Sequence, residues 1–259
     1  MIKVGVVGIT GRMGKMLAKT LNSTDHYRVL SGYARHAQTD FELPLVADLP
    51  SLFRENDMIV DFSSADALID VLEAAKLHPK PLIICSTGWT LGGKISELMD
   101  ELSKQIVIVI APNTSLGACL QLYLVQYLAK ALPSNYDIDV HEKHHQHKKD
   151  IPSGTAKALI KAITDQRLQK DQVEMTVGQL TVGPRPENMV ATSVQRSGKL
   201  PGEHEVSFTH EDEQITVNHT AFSPSLFATG TLTILNWIDE KKPVPGLYSM
   251  LDVVGLAAP

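Results

Sequence analysis

A chain of 259 residues with 43% hydrophobic and 20% charged side chains can bury a full core in one large or two modest domains, with ordinary globular composition. The formal net charge of −5 supplies no basic excess, which argues against nucleic acid as a partner. Two cysteines, Cys85 and Cys119, make neither a disulfide framework nor a metal-ligand spacing, so a reduced, cytoplasmic setting is expected. The first residues enter a strand without a targeting signature. The longest apolar segment, 116–132, is broken by Gln121, Gln126 and Lys130, so it reads as a buried helix and no membrane association is expected.

Residues 2–7 form a short apolar β-type run that delivers the chain into Gly8-Ile9-Thr10-Gly11-Arg12-Met13-Gly14, and helical spacing follows over 15–22. Strand, glycine turn and helix together suit a dinucleotide pyrophosphate, because glycines let backbone approach the phosphates and a helix N-terminus faces them. The glycines fall at the first, fourth and seventh positions rather than the first, third and sixth, so the turn is one residue longer than usual. The plainer alternative is a glycine-rich turn with no ligand. A second strand is expected over 28–34. Where such domains place an acidic residue for the ribose hydroxyls, this chain carries Arg35 and His36. Together with Arg12 these cations suit a 2′-phosphate, and hence NADPH over NADH, unless they are solvated surface residues.

The alternation continues with strands over 58–62, 81–85 and 106–110 and helices over 65–77 and 93–104. Strands apolar on both faces and separated by helices belong to a parallel sheet covered on both sides. Ligands of such sheets bind beyond the strand C-termini. Phe62-Ser63-Ser64, Ser86-Thr87-Gly88-Trp89 and Ala111-Pro112-Asn113-Thr114-Ser115 occupy those ends and are candidates for ribose, nicotinamide and hinge contacts. Each also reads as a turn with a helix cap, the favoured reading for Ser63 and Ser115.

The pattern then changes. A long helix over 116–132 is followed by a strand over 136–142, a histidine-rich segment, and a helix over 153–169. From residue 173 onward the chain has an antiparallel look, with alternating strands over 189–196, 204–210 and 214–221. This predicts a second domain with an open mixed sheet, whose broad face another subunit could cover. A last helix over 226–237 is placed to return to the first domain, and a polar, proline-containing tail follows.

The histidine-rich segment is Glu142-Lys143-His144-His145-Gln146-His147-Lys148-Lys149-Asp150-Ile151-Pro152-Ser153-Gly154-Thr155-Ala156. Its last five residues read as a helix opening, whose free N–H groups point back toward the cations and suit one or two carboxylates. A metal is disfavoured, because the cations of Lys143, Lys148 and Lys149 oppose a divalent ion. A solvated basic loop is the other alternative. On the anion reading, hydride delivered to an activated double bond leaves a site that needs a proton, and His144 or His145 is a natural donor. Lys148 would hold a carboxylate or share in protonation, with Ser153, Gly154 and Thr155 completing the pocket.

This segment resembles the signature of the dihydrodipicolinate reductase family, also called 4-hydroxy-tetrahydrodipicolinate reductase, of lysine and diaminopimelate biosynthesis. The resemblance covers nearly the whole chain. Its other anchors are Gly8, Gly11, Arg12, Met13 and Gly14; Ser86-Thr87-Gly88; Ala111-Pro112-Asn113; and Arg196-Ser197-Gly198 with Gly202-Glu203-His204.

The resemblance implies an α/β architecture: a Rossmann-type dinucleotide-binding domain with a parallel sheet (1–115 and 223–259) plus an α+β domain with an open mixed sheet (116–222). The second domain would bind the cyclic dicarboxylate substrate and mediate homotetramer formation. The activity implied is an oxidoreductase reaction, reduction of 4-hydroxy-tetrahydrodipicolinate to tetrahydrodipicolinate by NADPH or NADH with loss of water. His144 is implied as proton donor with Lys148 as partner, and His145, Lys148, Ser153, Gly154 and Thr155 as substrate contacts. Gly8, Thr10, Gly11, Arg12, Met13, Gly14, Arg35, Phe62, Ser86, Thr87, Gly88, Ala111, Pro112 and Asn113 are the expected cofactor contacts, and no metal is expected. Many members carry an acidic residue at the position of Arg35, and some carry an arginine where Phe222-Ser223-Pro224-Ser225 has none. The competing readings are a different nicotinamide-dependent imine or keto-acid reductase and a non-catalytic NADP sensor.

Overall fold

The computed structural model describes residues 1–35, 43–172, 174–180 and 182–256. His36 therefore lies outside the described residues. The chain divides into two compact units, Met1–Ser115 joined by the described residues from Ser225 onward, and Leu116–Pro224.

In the first unit, β1 (Ile2–Val7) leads into α1 (Arg12–Asn22), which begins three residues before the expected helix. The second strand is split into β2 (Tyr27–Arg28) and β3 (Gly32–Tyr33). Both pieces pair with β1 in parallel, Ile2 opposite Tyr27 and Val6 opposite Gly32, so one extra residue is accommodated between them and breaks the ladder. A helix the sequence pattern did not reveal, α2 (Leu49–Glu55), comes next, its N-terminus capped by Asp48, whose carboxylate accepts the Ser51 amide. The chain then runs through β4 (Met58–Asp61), α3 (Leu68–Leu77), β5 (Leu82–Ile84), α4 (Gly93–Leu102) and β6 (Val107–Ile110).

The second unit comprises α5 (Leu116–Ala131), β7 (Asp137–His144), α6 (Gly154–Asp171), β8 (Thr176–Gly178), β9 (Met189–Arg196), β10 (Gly202–Thr209) and β11 (Gln214–Ala221). The chain returns to the first unit as α7 (Ser225–Lys241), and the expected polar tail instead supplies β12 (Gly246–Ser249) and the short α8 (Met250–Val253).

The first sheet has the order β12-β6-β5-β4-β1-β2, with β3 also on β1, and its pairings are parallel. Leu52, Phe53, Leu72, Leu98 and Leu102 of α2, α3 and α4 pack on Ile59, Leu82, Ile84 and Ile108. The alternate strand residues Val4, Val6, Val60, Ile83 and Val109 are equally buried, while α1 packs against α7. Both faces of the sheet are covered, which is why its strands are apolar throughout.

The second sheet has the order β11-β10-β7-β9-β8. It is mixed, but less antiparallel than the sequence suggested. Among the described residues only β10 runs against its neighbours β7 and β11, whereas β9 is parallel to β7 and β8 is parallel to β9. The α6 crossover accounts for the parallel β7–β9 pair, because a helix between two strands lets them run the same way. Helices α5 and α6 pack together, and Val125, Ala129, Leu159 and Ile163 cover Ile138, Val140, Val190, Val206 and Phe208. Along β7, buried Ile138, Val140, Glu142 and His144 alternate with Asp137, Asp139, His141 and Lys143, which are half-buried or exposed. One face is thus core and the other polar.

Candidate active site

In the first unit a single row of paired residues crosses the sheet: Tyr33, Val7, Asp61, Ile84, Ile110 and Ser249 stand side by side. The residues just beyond that row are Gly8, Phe62, Cys85 and Ala111, so parallel register brings the expected cofactor segments to one edge. The Gly8 amide donates to the Tyr33 carbonyl at 2.8 Å and the Phe62 amide to the Val7 carbonyl at 3.0 Å. Gly8 has φ +78°, and a Cβ there would meet the Phe62 carbonyl at 2.8 Å. A Cβ on Gly14 would lie 2.4 Å from the Gly8 carbonyl oxygen. Gly14 therefore sets how closely helix α1 folds back onto the turn, and Gly8 how closely the turn lies on the segment leaving β4. Gly11 is the extended N-cap of α1 and offers no side-chain cap, leaving the helix's first amides facing outward. Gly11 and Arg12 are exposed, and Thr10 and Met13 are partly so. Arg35 is exposed two residues past β3.

Asp61 ends β4 with no exposure at all. Its carboxylate accepts the Ser63 amide at 2.9 Å, the Ser63 hydroxyl, and the Ser86 hydroxyl at 2.6 Å. Burial raises the Asp61 carboxyl above its ordinary value, and these bonds only partly oppose it. Ser63 is thus bound to Asp61 rather than capping the following helix. Ser86 is buried with its hydroxyl turned inward, which leaves Thr87 and Gly88 as the exposed members of that segment. The Trp89 indole donates to the Ser86 carbonyl at 2.9 Å. Ala111 is buried, Pro112 is exposed, and the Asn113 side chain accepts the Ser115 amide at 3.0 Å.

In the second unit the histidine segment begins inside β7. Glu142 is 1% exposed and stands between β9 and β10, opposite Val194 and His204. Its carboxylate accepts from Arg196 Nη2 at 2.6 Å and from the Ser153 amide at 3.1 Å. Two ring nitrogens face it, His204 Nε2 at 3.6 Å and His144 Nδ1 at 3.7 Å. Burial pushes the Glu142 carboxyl up, but the Ser153 and Arg196 bonds outweigh it and hold the group below its usual range. His144 and His204 meet edge to face with centroids 5.1 Å apart. Burial, helped by the cation of Lys148 and opposed by Glu142, lowers the His144 pKa. Burial also lowers His204, to about 4.

Ser153 is the N-cap of α6. Its Oγ accepts the Ala156 amide at 3.2 Å and bonds His204 Nε2 at 2.8 Å. The Ser153 hydroxyl thus meets His204 and the helix it caps, and its amide meets Glu142. Gly154 is exposed and Thr155 partly so, and both belong to the first turn of α6. Lys148 Nζ pairs with Asp150 at 2.9 Å, and His145 is exposed. Glu142, His144 and His204 bring one donor atom each within 4.8 Å. The Arg196 guanidinium bonds Glu142 and the Ser153 hydroxyl bonds His204, so this trio is the centre of a buried polar hub.

Arg196, His204 and Asp61 escaped the sequence reading as functional side chains. Arg196 and His204 stood among the anchoring residues, but strand pairing alone brings them to Glu142, 54 residues away in the case of Arg196. The one available signal was chemical: Glu142 is a carboxylate at a position the β7 alternation makes buried, and a buried carboxylate requires a partner.

Comparison with known proteins covers both units. The family description "Dihydrodipicolinate reductase, N-terminus" matches residues 2–114, and "Dihydrodipicolinate reductase, C-terminus" matches residues 117–254. The chain is 38% identical to the 4-hydroxy-tetrahydrodipicolinate reductase of Chlamydia felis, covering 95% of this chain and 96% of that one. It is 37% identical to the Wolinella succinogenes protein of the same name, covering 99% and 100%. Among solved structures, the dipicolinate-bound dihydrodipicolinate reductase from Paenisporosarcina sp. TG-14 shares the fold with a TM-score of 0.77 at 19% identity, covering 97% of this chain and 98% of that one.

Proposed function

We propose that this chain, which belongs to the dihydrodipicolinate reductase family, reduces 4-hydroxy-tetrahydrodipicolinate to tetrahydrodipicolinate in lysine and diaminopimelate biosynthesis. The balanced reaction takes substrate, NAD(P)H and a proton to product, NAD(P)+ and water. The observation that carries the reading is a buried imidazole, His144, next to a helix N-terminus with exposed Gly154 and partly exposed Thr155. A proton source and an anion site for a dicarboxylate thus lie on consecutive elements.

The first unit fits a dinucleotide, because Gly8 and Gly14 let the turn pack tightly between β1 and α1 and the uncapped N-terminus of α1 suits a pyrophosphate. Gly8, Thr10, Gly11, Arg12, Met13 and Gly14 would hold the phosphates, and Phe62, Thr87, Gly88, Pro112 and Asn113 the nicotinamide half, with Ser86 and Ala111 supporting them from beneath. NAD(P)H supplies the hydride when bound. Exposed Arg35 and Arg12 support a preference for NADPH, through charge-assisted bonds to a 2′-phosphate.

His144 holds Nδ1 toward Glu142, which leaves Nε2 to give its proton to the reduced ring. Lys148, held by Asp150, and exposed His145 bind substrate carboxylate, and the first amides of α6 at Gly154 and Thr155 complete the pocket with the positive end of the helix. The polar face of the second sheet supports a homotetramer in which subunits cover it. Among the described residues no helix is long and apolar enough to cross a membrane, and the free thiols of Cys85 and Cys119 fit a cytoplasmic setting.

The test is oxidation of NADPH followed by absorbance, with substrate supplied by a coupled dihydrodipicolinate synthase and the reductase omitted as control. Substrate-dependent loss of absorbance is expected; its absence sinks the reading.

A further inference from the structure

We infer that Glu142 is a positioning residue for the proton donor, with its buried carboxylate fixing both the tautomer of His144 and the N-terminus of the anion-binding helix. The inference rests on the reductase reading above for the role of His144, and goes beyond it in assigning work to Glu142 and Arg196.

Three observations carry it. First, His144 Nδ1 is buried and has no hydrogen-bond partner among the described residues, and the carboxylate oxygen facing it is Glu142 Oε2 at 3.7 Å. A proton on Nδ1 is therefore favoured over a lone pair there, and Nε2 becomes the exchanging atom. Second, the same carboxylate accepts the amide of Ser153, the N-cap of α6. One side chain thus ties β7, which ends in His144, to the helix whose opening presents Gly154 and Thr155. Third, Arg196 not only bonds Glu142 but also donates to the Asp150 carbonyl at 2.9 Å, and Asp150 pairs with Lys148. The hub therefore reaches each element of the anion site.

The charges around His144 come from every element packed on it. Glu142 lies on β7 itself, Arg196 on β9, His204 on β10 with His219 paired to it on β11, and Lys148 and Asp150 on the loop before α6. The cations Lys148 and Arg196 oppose a charged imidazole. Glu142 and Asp150 favour it, and of these two only Glu142 is buried. A general acid must be protonated before it acts, so Glu142 keeps His144 charged to higher pH than its surroundings would otherwise allow.

Two substitutions of opposite electrostatic sign test this in the full-length enzyme. Glu142→Gln removes the carboxylate charge, and Arg196→Gln removes a cation while leaving the carboxylate. The readouts are the high-pH limb of kcat/KM and the pH midpoint of His144 from peptide-resolved hydrogen–deuterium exchange at its Cε1, which needs no turnover. Glu142→Gln should move both downward by about one pH unit, and Arg196→Gln should move both upward. A structural role would lower activity in either variant without moving a midpoint, and unmoved midpoints overturn the inference. If Glu142→Gln fails to fold by circular dichroism, Arg196→Gln decides alone; failure of both to fold makes the carboxylate a scaffold only and also overturns it. A wild-type enzyme without substrate-dependent NADPH oxidation would refute the reductase reading separately, while the exchange midpoints still report on the hub.

Discussion

The Ser86 hydroxyl donates to Asp61 at 2.6 Å across the neighbouring strands β4 and β5, so the two loops leaving those strands are joined by one buried carboxyl. Because burial raises the Asp61 pKa, its contribution to stability is complete below the unfolded value and is lost as pH rises through the folded one. Asp61→Asn keeps an acceptor for Ser63 and cannot ionise, so it should gain on the wild type in melting temperature as pH is raised. Parallel curves of Tm against pH would show that Asp61 carries no such cost. Asp61→Leu removes the acceptor of the Ser63 amide, costing about 1–3 kcal/mol, and should raise KM for NADPH by loosening Phe62 and Thr87.

The proposed division of labour between His144 and Lys148 is measurable by steady-state kinetics. His144→Gln should lower kcat by about 10²-fold, as loss of a general acid does, with little change in KM for the dicarboxylate. Lys148→Ala should raise KM as well as lower kcat, because it removes a carboxylate contact. An unchanged KM would leave Lys148 paired to Asp150 and outside the pocket.

How much of this was legible depended on whether the information was local. Strands such as Met58–Asp61 and Val107–Ile110 are apolar on both faces and bounded by polar turns, so their place in a parallel sheet could be read directly. β12 could not, because Gly246–Ser249 follows a polar, proline-containing stretch and becomes a strand only by pairing with β6. In the site, the proposed anion pocket stood out as a consecutive cluster from His144 to Thr155. The hub beneath it did not, since Glu142, Arg196 and His204 sit on three strands whose order and direction no single stretch encodes. The bonds of Ser86 to Asp61 and of Ser153 to His204 were equally hidden, because hydroxyl chemistry is visible in sequence while side-chain direction is not.

On the proposed reading, cofactor preference turns on two exposed cations, Arg12 and Arg35. Arg35→Ala and Arg12→Ala should each raise KM for NADPH more than KM for NADH, and the double variant should lose most discrimination, since charge-assisted bonds to a 2′-phosphate are made only by NADPH. Arg35→Asp should go further and favour NADH. An unaltered ratio would return Arg35 to the role of a solvated surface residue.

Gly230 packs so closely on Thr114 that a Cβ there would lie 1.7 Å from the Thr114 carbonyl oxygen, beside the bond that the Thr114 hydroxyl donates to the Phe227 carbonyl at 2.7 Å. Backbone cannot yield as a flexible side chain does. Gly230→Ala should therefore cost at least about 1–3 kcal/mol and lower Tm by several degrees, although alanine is the better helix former. An unchanged Tm would mean that α7 can slide on Thr114 without penalty.

His204 gives the chain a titration of the opposite sign to that of Asp61. Its pKa falls from an ordinary value near 6.5 to about 4, through burial and the neighbouring His144 imidazole. Between these values the unfolded chain binds more protons than the native one, so the contribution is complete above about 6.5 and is lost as pH falls through about 4. The limiting slope for one proton is about 1.4 kcal/mol per pH unit, the sum over the window being a few kcal/mol at most. His204→Gln retains a partner for the Ser153 hydroxyl and cannot charge. Unfolding free energies from urea titrations between pH 4.5 and 7.5 should therefore fall less steeply with acidification in the variant than in the wild type. Equal slopes would mean that His204 protonates without disturbing Ser153 and Glu142, and that the hub tolerates a second cation beside Arg196.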